Sequence, residues 1–297
     1  MIILGCPGQG SQVQGFLSPW LEGVPQFETE LTKLANASGL DLVRLGTVAQ
    51  EDEIKDTAIA QPLIVAASIA AFRSSFEDIK VDGVVGHSVG EFAAAAISGV
   101  LSDQDAMSLV KTRGEAMARA AAAADTSMAA ILGGDRTEIE AQLDELGLSV
   151  ANFNGAGQVV AAGLMSSIKL LLENPPERAR IIGLKVAGAF HTAFMDSAQQ
   201  ELSEACKGIQ TNDPEIMLWS NSNGDLVTSG TAYLDSLVKQ VSNPVRWDLC
   251  MESMPQEEFI FAELPPAGAL AGLVKRGVGQ SSPVTLKLPS DIEKVLA

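Results

Sequence analysis

The chain has 297 residues, 46% of them hydrophobic and 19% charged, which is enough to bury a large core without disulfides or metal and excludes wholesale disorder. Thirty-seven acidic residues against 20 basic ones leave a formal net charge of −17, a field that repels phosphate backbones and argues against nucleic acid as a partner. Cys6, Cys206 and Cys250 show no CxxC spacing, and an odd count suits a reducing compartment. The start, Met1-Ile2-Ile3-Leu4-Gly5, has no basic region, and no apolar run approaches the ~20 residues needed to cross a bilayer. The expected location is the cytoplasm, with no membrane contact.

In chain order, Ile2–Cys6 reads as a short buried strand entering the Gly-rich loop Pro7-Gly8-Gln9-Gly10-Ser11-Gln12. Residues 61–72 have helical apolar spacing, with Pro62 tolerated in a first turn. Val81–Val85 is rich in β-formers and leads into Gly86-His87-Ser88-Val89-Gly90, then a helix over 91–97. Ser102 can cap the next helix, with Asp103 and Asp105 in its first turn, and that helix should run to about Ala124. Strand, tight turn, helix is α/β grammar.

The rhythm then changes. Strands are expected at 128–132, 148–153, 159–162 and 179–186, with helices over 137–146 and 166–172. The order β-α-β-β-α-β predicts a ferredoxin-like small domain at 126–188, inserted into a large parallel-sheet domain formed by 1–125 and 189–297. Beyond the insert, strands near 216–220 and 259–263 and a helix near 268–277 resume the α/β pattern.

Gly86-His87-Ser88-Val89-Gly90 matches G-x-S-x-G between a strand and a helix, the context in which such a serine becomes a nucleophile. A serine hydroxyl needs a base, and the chain has two histidines. His87 adjoins Ser88, where side chains diverge, so His191, at the seam between the two domains, is the expected base. Arg113 lies on one helical face with Ala106, Leu109, Val110 and Met117, and a guanidinium in an apolar stripe needs an anion. Two readings fit: an internal ion pair with Glu91 or an aspartate, or a clamp for a substrate carboxylate. The Gly-rich loop lacks a P-loop's Gly-Lys-Ser/Thr and could instead aim backbone N–H groups at an oxyanion. No zinc-spaced ligand set is present, so no metal is expected.

Together these residues resemble the malonyl-CoA:acyl-carrier-protein transacylase family of fatty acid synthesis, over nearly the whole chain. The resemblance rests on Pro7-Gly8-Gln9-Gly10-Ser11-Gln12, Gly86-His87-Ser88-Val89-Gly90-Glu91, Arg113-Gly114, Asn152-Phe153-Asn154, Gly188-Ala189-Phe190-His191 and Gln240 through Asn243-Pro244-Val245. It implies an α/β-hydrolase-like large domain and a two-step acyl transfer without a cofactor. Its substrates would be malonyl-CoA and a holo acyl carrier protein bearing phosphopantetheine. Ser88 would carry the malonyl group, with His191 as base and the backbone carbonyl of Gln240 holding the imidazole. The N–H groups of Gln9 and Val89 would bind the oxyanion, Arg113 the malonyl carboxylate, and Asn152 would line the site. Phe190 resembles the variants that take unbranched malonyl. Pro265-Pro266-Ala267-Gly268 departs from the Gly-Pro-Gly turn common in the family.

The acidic carrier should meet a local basic rim drawn from Arg178, Arg180, Lys185, Lys275 and Arg276. Two rival readings remain: a serine esterase or thioesterase, which would leave Arg113 unused, and a non-catalytic subunit that only binds the carrier protein.

Overall fold

The computed structural model describes residues 1–76 and 78–296. Its strands are β1 (Ile2–Cys6), β2 (Gly83–Gly86), β3 (Thr126–Gly133), β4 (Ser149–Gly155), β5 (Gln158–Leu164), β6 (Ala179–Gly183), β7 (Met217–Trp219), β8 (Val245–Arg246), β9 (Phe259–Glu263) and β10 (Ser281–Thr285). One sheet has the order β10-β9-β1-β2-β7, and every pairing in it is parallel. Parallel sheets are covered on both faces, so their inner strands are continuous apolar runs. β1 (IILGC) and β2 (GVVG) have that character and are buried almost throughout.

Three helices supply the cover that matters for the site. Thr57–Ser75 begins four residues earlier than the apolar spacing predicts, because Asp56 caps it by accepting from the Ala58 N–H at 2.8 Å. Pro62 therefore lies inside the helix rather than in its first turn. Gly90–Ile97 is buried along its whole length. Asp103–Ala122 is capped by Ser102, whose Oγ accepts from the Asp105 N–H at 3.0 Å. Short helices at Ser18–Gly23, Phe27–Ser38, Leu42–Thr47 and Glu51–Lys55, absent from the sequence reading, pack Trp20, Phe27, Leu31, Leu42 and Ile54 into the main core.

The second sheet has the order β6-β3-β5-β4-β8. The first four strands pair antiparallel, and the helices Arg136–Glu145 and Met165–Glu173 join Ile131, Ile139, Leu143 and Leu171 in a separate apolar cluster. β8 extends this sheet by pairing parallel to β4, Asn152 opposite Val245 and Phe153 opposite Arg246. The second sheet thus draws its edge from residues well beyond 188. The final strand of the segment stops at Gly183 rather than Val186, and the last predicted helix starts at Leu270. Thr57–Ser75 is long and apolar enough to cross a membrane, but 72% of its most apolar window is buried inside the fold.

Candidate active site

The site is built at the carboxyl ends of β1 and β2, where open α/β sheets place their ligands. After β2 the backbone reverses at Ser88, which sits at φ 52, the left-handed region that a non-glycine residue adopts at a cost. The flanking glycines make this turn possible. A Cβ on Gly86 would lie 2.2 Å from the Glu91 nitrogen, and one on Gly90 would lie 2.1 Å from the Cys6 carbonyl oxygen. Asn221, fully buried, holds the strained turn from outside: its Oδ1 accepts from the Ser88 N–H and its Nδ2 donates to the Gly86 carbonyl, both at 2.8 Å.

His191 also has positive φ, at 61°. Its Nε2 lies 2.7 Å from Ser88 Oγ, and its Nδ1 lies 2.8 Å from the Gln240 carbonyl oxygen. A carbonyl only accepts, so Nδ1 carries the proton and Nε2 offers its lone pair to the serine hydroxyl. Burial, then the nearby Arg113 charge, push the His191 pKa down to about 3, so the ring is a neutral base at ordinary pH. His87 is engaged elsewhere, with Nε2 3.1 Å from Asn154 Oδ1 and its ring against Trp247.

Arg113 is 1% exposed. Neither half of the ion-pair reading fits: among the described residues no carboxylate lies within ion-pair distance of it. Nη1 instead donates to Gln61 Oε1 at 2.6 Å, and Nη2 donates to Gln240 Oε1 at 2.9 Å and reaches Ser88 Oγ at 3.4 Å. Its Nε has no partner. Burial lowers its pKa to about 10, opposed by Glu91, and the group remains a cation.

A cavity of about 650 Å³ opens over these groups, with Gln9, Ser88, Val89, Asn152, Phe190 and His191 in its wall. The backbone N–H groups of Gln9 and Val89 donate to no acceptor among the described residues. Arg113 and Gln240 stand behind the wall, whereas Gln61 and Met117 form part of it. Lys185 and Arg276 of the expected basic rim also line the cavity. Arg178, Arg180 and Lys275 are exposed outside it, Arg178 beside Glu177 at 3.6 Å. The turn at Pro265-Pro266 is held on both sides, by Ser68 Oγ donating to the Pro265 carbonyl and by the Glu263 carboxylate accepting from the N–H groups of Ala269, Leu270 and Ala271. Among the described residues no cluster of three His, Cys, Asp or Glu could hold a metal ion.

Residues 5–290 match the acyl transferase domain family. The chain is 46% identical over 300 residues to the malonyl CoA-acyl carrier protein transacylase of Mycobacterium tuberculosis, covering 99% of both chains. The chain belongs to the malonyl CoA-acyl carrier protein transacylase family. The Escherichia coli (strain K12) member is 32% identical over 308 residues, 98% of this chain and 97% of that one. The crystal structure of MCAT from Mycobacterium tuberculosis superposes with a TM-score of 0.94, covering 100% of this chain and 99% of that one at 46% identity. A malonyl-transacylase solved in complex with its type II PKS acyl-carrier protein superposes at 0.91, with 29% identity over 99% of this chain and 98% of that one. The α/β fold with one parallel sheet and a second sheet is the fold of these transacylases.

For a chain of this transacylase family, the site holds more than the sequence motifs announce. The sequence reading assigns no site role to Gln61, Asn221, the side chain of Gln240 or Tyr233, whose hydroxyl donates to Glu91 Oε1 at 3.1 Å, and it has Glu91 only as part of a motif and as a possible ion-pair partner. Gln61 had one available signal: it is the one polar residue in the apolar run 58–67.

Proposed function

We propose that this chain transfers the malonyl group from malonyl-CoA to the phosphopantetheine thiol of an acyl carrier protein through a malonyl-Ser88 intermediate. The observation that carries the reading is the line Ser88 Oγ–His191 Nε2, His191 Nδ1–Gln240 carbonyl, with the Arg113 guanidinium 3.4 Å from the same hydroxyl. A hydrolase of uncharged esters has no use for that buried cation.

Ser88 Oγ attacks the thioester carbonyl carbon as its proton passes to His191 Nε2. The oxyanion accepts from the free N–H groups of Gln9 and Val89, donors whose individual loss costs about 10²–10³ in rate in comparable sites. The tetrahedral carbon collapses, the C–S bond breaks, and His191 returns the proton to the CoA sulfur. The carrier thiol then gives its proton to His191, attacks the malonyl ester and restores Ser88. Three N–H bonds of Arg113 are engaged and its two remaining donors, the buried Nε–H among them, have no partner, which fits a clamp for the free end of malonyl. Phe190 and Asn152 shape the acyl end of the cavity, with Phe190 favouring unbranched malonyl. No step calls for a metal or cofactor.

Two finer structural readings belong here. The antiparallel order β6-β3-β5-β4 supports a ferredoxin-like unit at 126–188, inserted into an α/β-hydrolase-like domain of residues 1–125 and 189–297. The cytoplasm supplies both substrates, and Lys185 and Arg276 on the cavity wall suit an acidic carrier.

Intact-protein mass spectrometry after brief mixing with malonyl-CoA tests the reading. A malonyl adduct on the native chain, absent in Ser88→Ala and discharged by holo carrier protein, is the expected result. Steady CoA release into water without carrier dependence would replace it with a thioesterase. No adduct and no release would leave a carrier-binding subunit.

A further inference from the structure

The catalytic scheme uses no acidic side chain, yet Glu91 is buried beside the nucleophile at 1% exposure. Three donors converge on it: the Asn221 backbone N–H at 2.8 Å and the Tyr233 hydroxyl at 3.1 Å to Oε1, and the Gln240 side-chain NH2 to Oε2. The other hydrogen of that NH2 is used too, by the Ser88 carbonyl at 3.1 Å. With both hydrogens committed, the amide oxygen of Gln240 can only face the other way, and there it accepts from Arg113 Nη2 at 2.9 Å.

We propose that Glu91 is a positioning residue for acyl selection, which acts through the Gln240 side-chain amide to fix the Arg113 guanidinium for a carboxylate-bearing acyl group. The inference rests on the malonyl-transfer reading above. One amide separates the carboxylate from the guanidinium. Burial pushes the Glu91 carboxyl up to about 7, so above that pH its negative charge offsets the cost of burying Arg113, while the absence of direct contact leaves two of the cation's five donors unspent. A carboxylate paired directly with Arg113 would occupy the place that malonyl needs.

The donor–acceptor polarity makes this testable with an isosteric change. In Glu91→Gln the Asn221 N–H is fixed by the backbone and requires the new amide's oxygen at the Oε1 position. Its NH2 then faces the Gln240 NH2, donor against donor. Gln240 relieves this by turning its amide over, which points NH2 at the guanidinium and leaves Nη2 only its longer, 3.4 Å contact with Ser88 Oγ. The backbone carbonyl of Gln240, and with it the His191 tautomer, is untouched by that rotation.

The experiment compares native protein, Glu91→Gln and Gln240→Met. It measures rates of adduct formation on Ser88 from malonyl-CoA and from acetyl-CoA, together with fluorophosphonate labelling of Ser88. The expected result is a malonyl-to-acetyl ratio lowered about tenfold or more in both variants, the scale of one charge-assisted hydrogen bond, with labelling close to native in Glu91→Gln. Gln240→Met keeps the carbonyl and all of Glu91 but cuts the relay, so it tests the proposal even where Glu91→Gln does not fold. An unchanged ratio in the folded variants would overturn the proposal. So would an equal fall in labelling and in both acyl rates, the mark of general structural damage. Absence of any malonyl adduct on the native chain would instead overturn the malonyl-transfer reading, and this inference with it.

Discussion

Gly114→Ala is the perturbation with the most direct link from packing to chemistry. Gly114 is where the Asp103–Ala122 helix crosses Thr57–Ser75, and a Cβ there would stand 2.9 Å from the Thr57 carbonyl oxygen and 3.3 Å from the Ala58 Cα. Both neighbours are backbone, so a side-chain rotation cannot relieve the contact. The helices must separate by about 0.5 Å to restore ordinary van der Waals distance. Arg113 is the adjacent residue, and its hydrogen bond to Gln61 on the opposite helix is only 2.6 Å long, so the separation falls directly on the guanidinium. Overpacking of this kind costs about 1–3 kcal/mol, or several degrees of melting temperature at roughly 2–4 °C per kcal/mol for a chain of this size. Misplacing a binding group by about 1 Å can cost 10²-fold, so half that displacement should lower malonyl-adduct formation about tenfold. Ser88 and His191 lie on other elements, and fluorophosphonate labelling should stay near native. The assay pairs differential scanning calorimetry with mass-resolved adduct kinetics. Native melting temperature together with native malonyl rates would refute the argument that the bare Cα at 114 sets the clamp.

Three further outcomes are expected. His191, held down to about 3, stays neutral where a free histidine would titrate near 6.5, so fluorophosphonate labelling should remain flat from pH 8 to pH 5; a half-maximal rate near 6.5 would contradict this. The same depression means the unfolded chain binds a proton that the native chain refuses between about 6.5 and 3, so stability is lost as pH falls through that window. Urea unfolding should show native protein losing about 2 kcal/mol more than His191→Gln between pH 7 and pH 5. Asn221→Leu leaves the Ser88 N–H and the Gly86 carbonyl without side-chain partners in a buried place. Each orphaned group costs about 1–3 kcal/mol, read as a lower urea midpoint, and labelling of Ser88 should fall with it. Lys185→Glu with Arg276→Glu should raise the carrier-protein KM several-fold, less so at high salt, while malonyl-adduct formation from malonyl-CoA is spared; an unchanged carrier KM would remove the basic-rim reading.

The catalytic reading was legible where the chemistry is local. The elbow is a strand, five residues and a helix, and its glycines, its serine and the histidine count all stand in one line of sequence. Arg113 could be placed in an apolar stripe from helical spacing alone, but whether it met an internal carboxylate or kept its charge for substrate was open. Spacing reports which face a residue shares, and it says nothing about what a second helix brings to that face. Three of the four helices before Thr57 are too brief for periodicity to stand out, whereas Phe27–Ser38 carries a helical period at Phe27, Leu31 and Leu34 that the reading passed over.

Composition and local pattern determined that this is an acidic α/β protein with a G-x-S-x-G turn between a strand and a helix, two histidines and a change of rhythm at 126–188. The partners of those groups were decided only in three dimensions. β8 closes the second sheet against Asn152 and Phe153 from almost a hundred residues away, and Gln240 serves Ser88, Arg113, Glu91 and His191 at once. Glutamine, asparagine and tyrosine carry no periodic signature, so their hydrogen bonds have meaning only once long-range packing has removed water and left each buried donor a single acceptor.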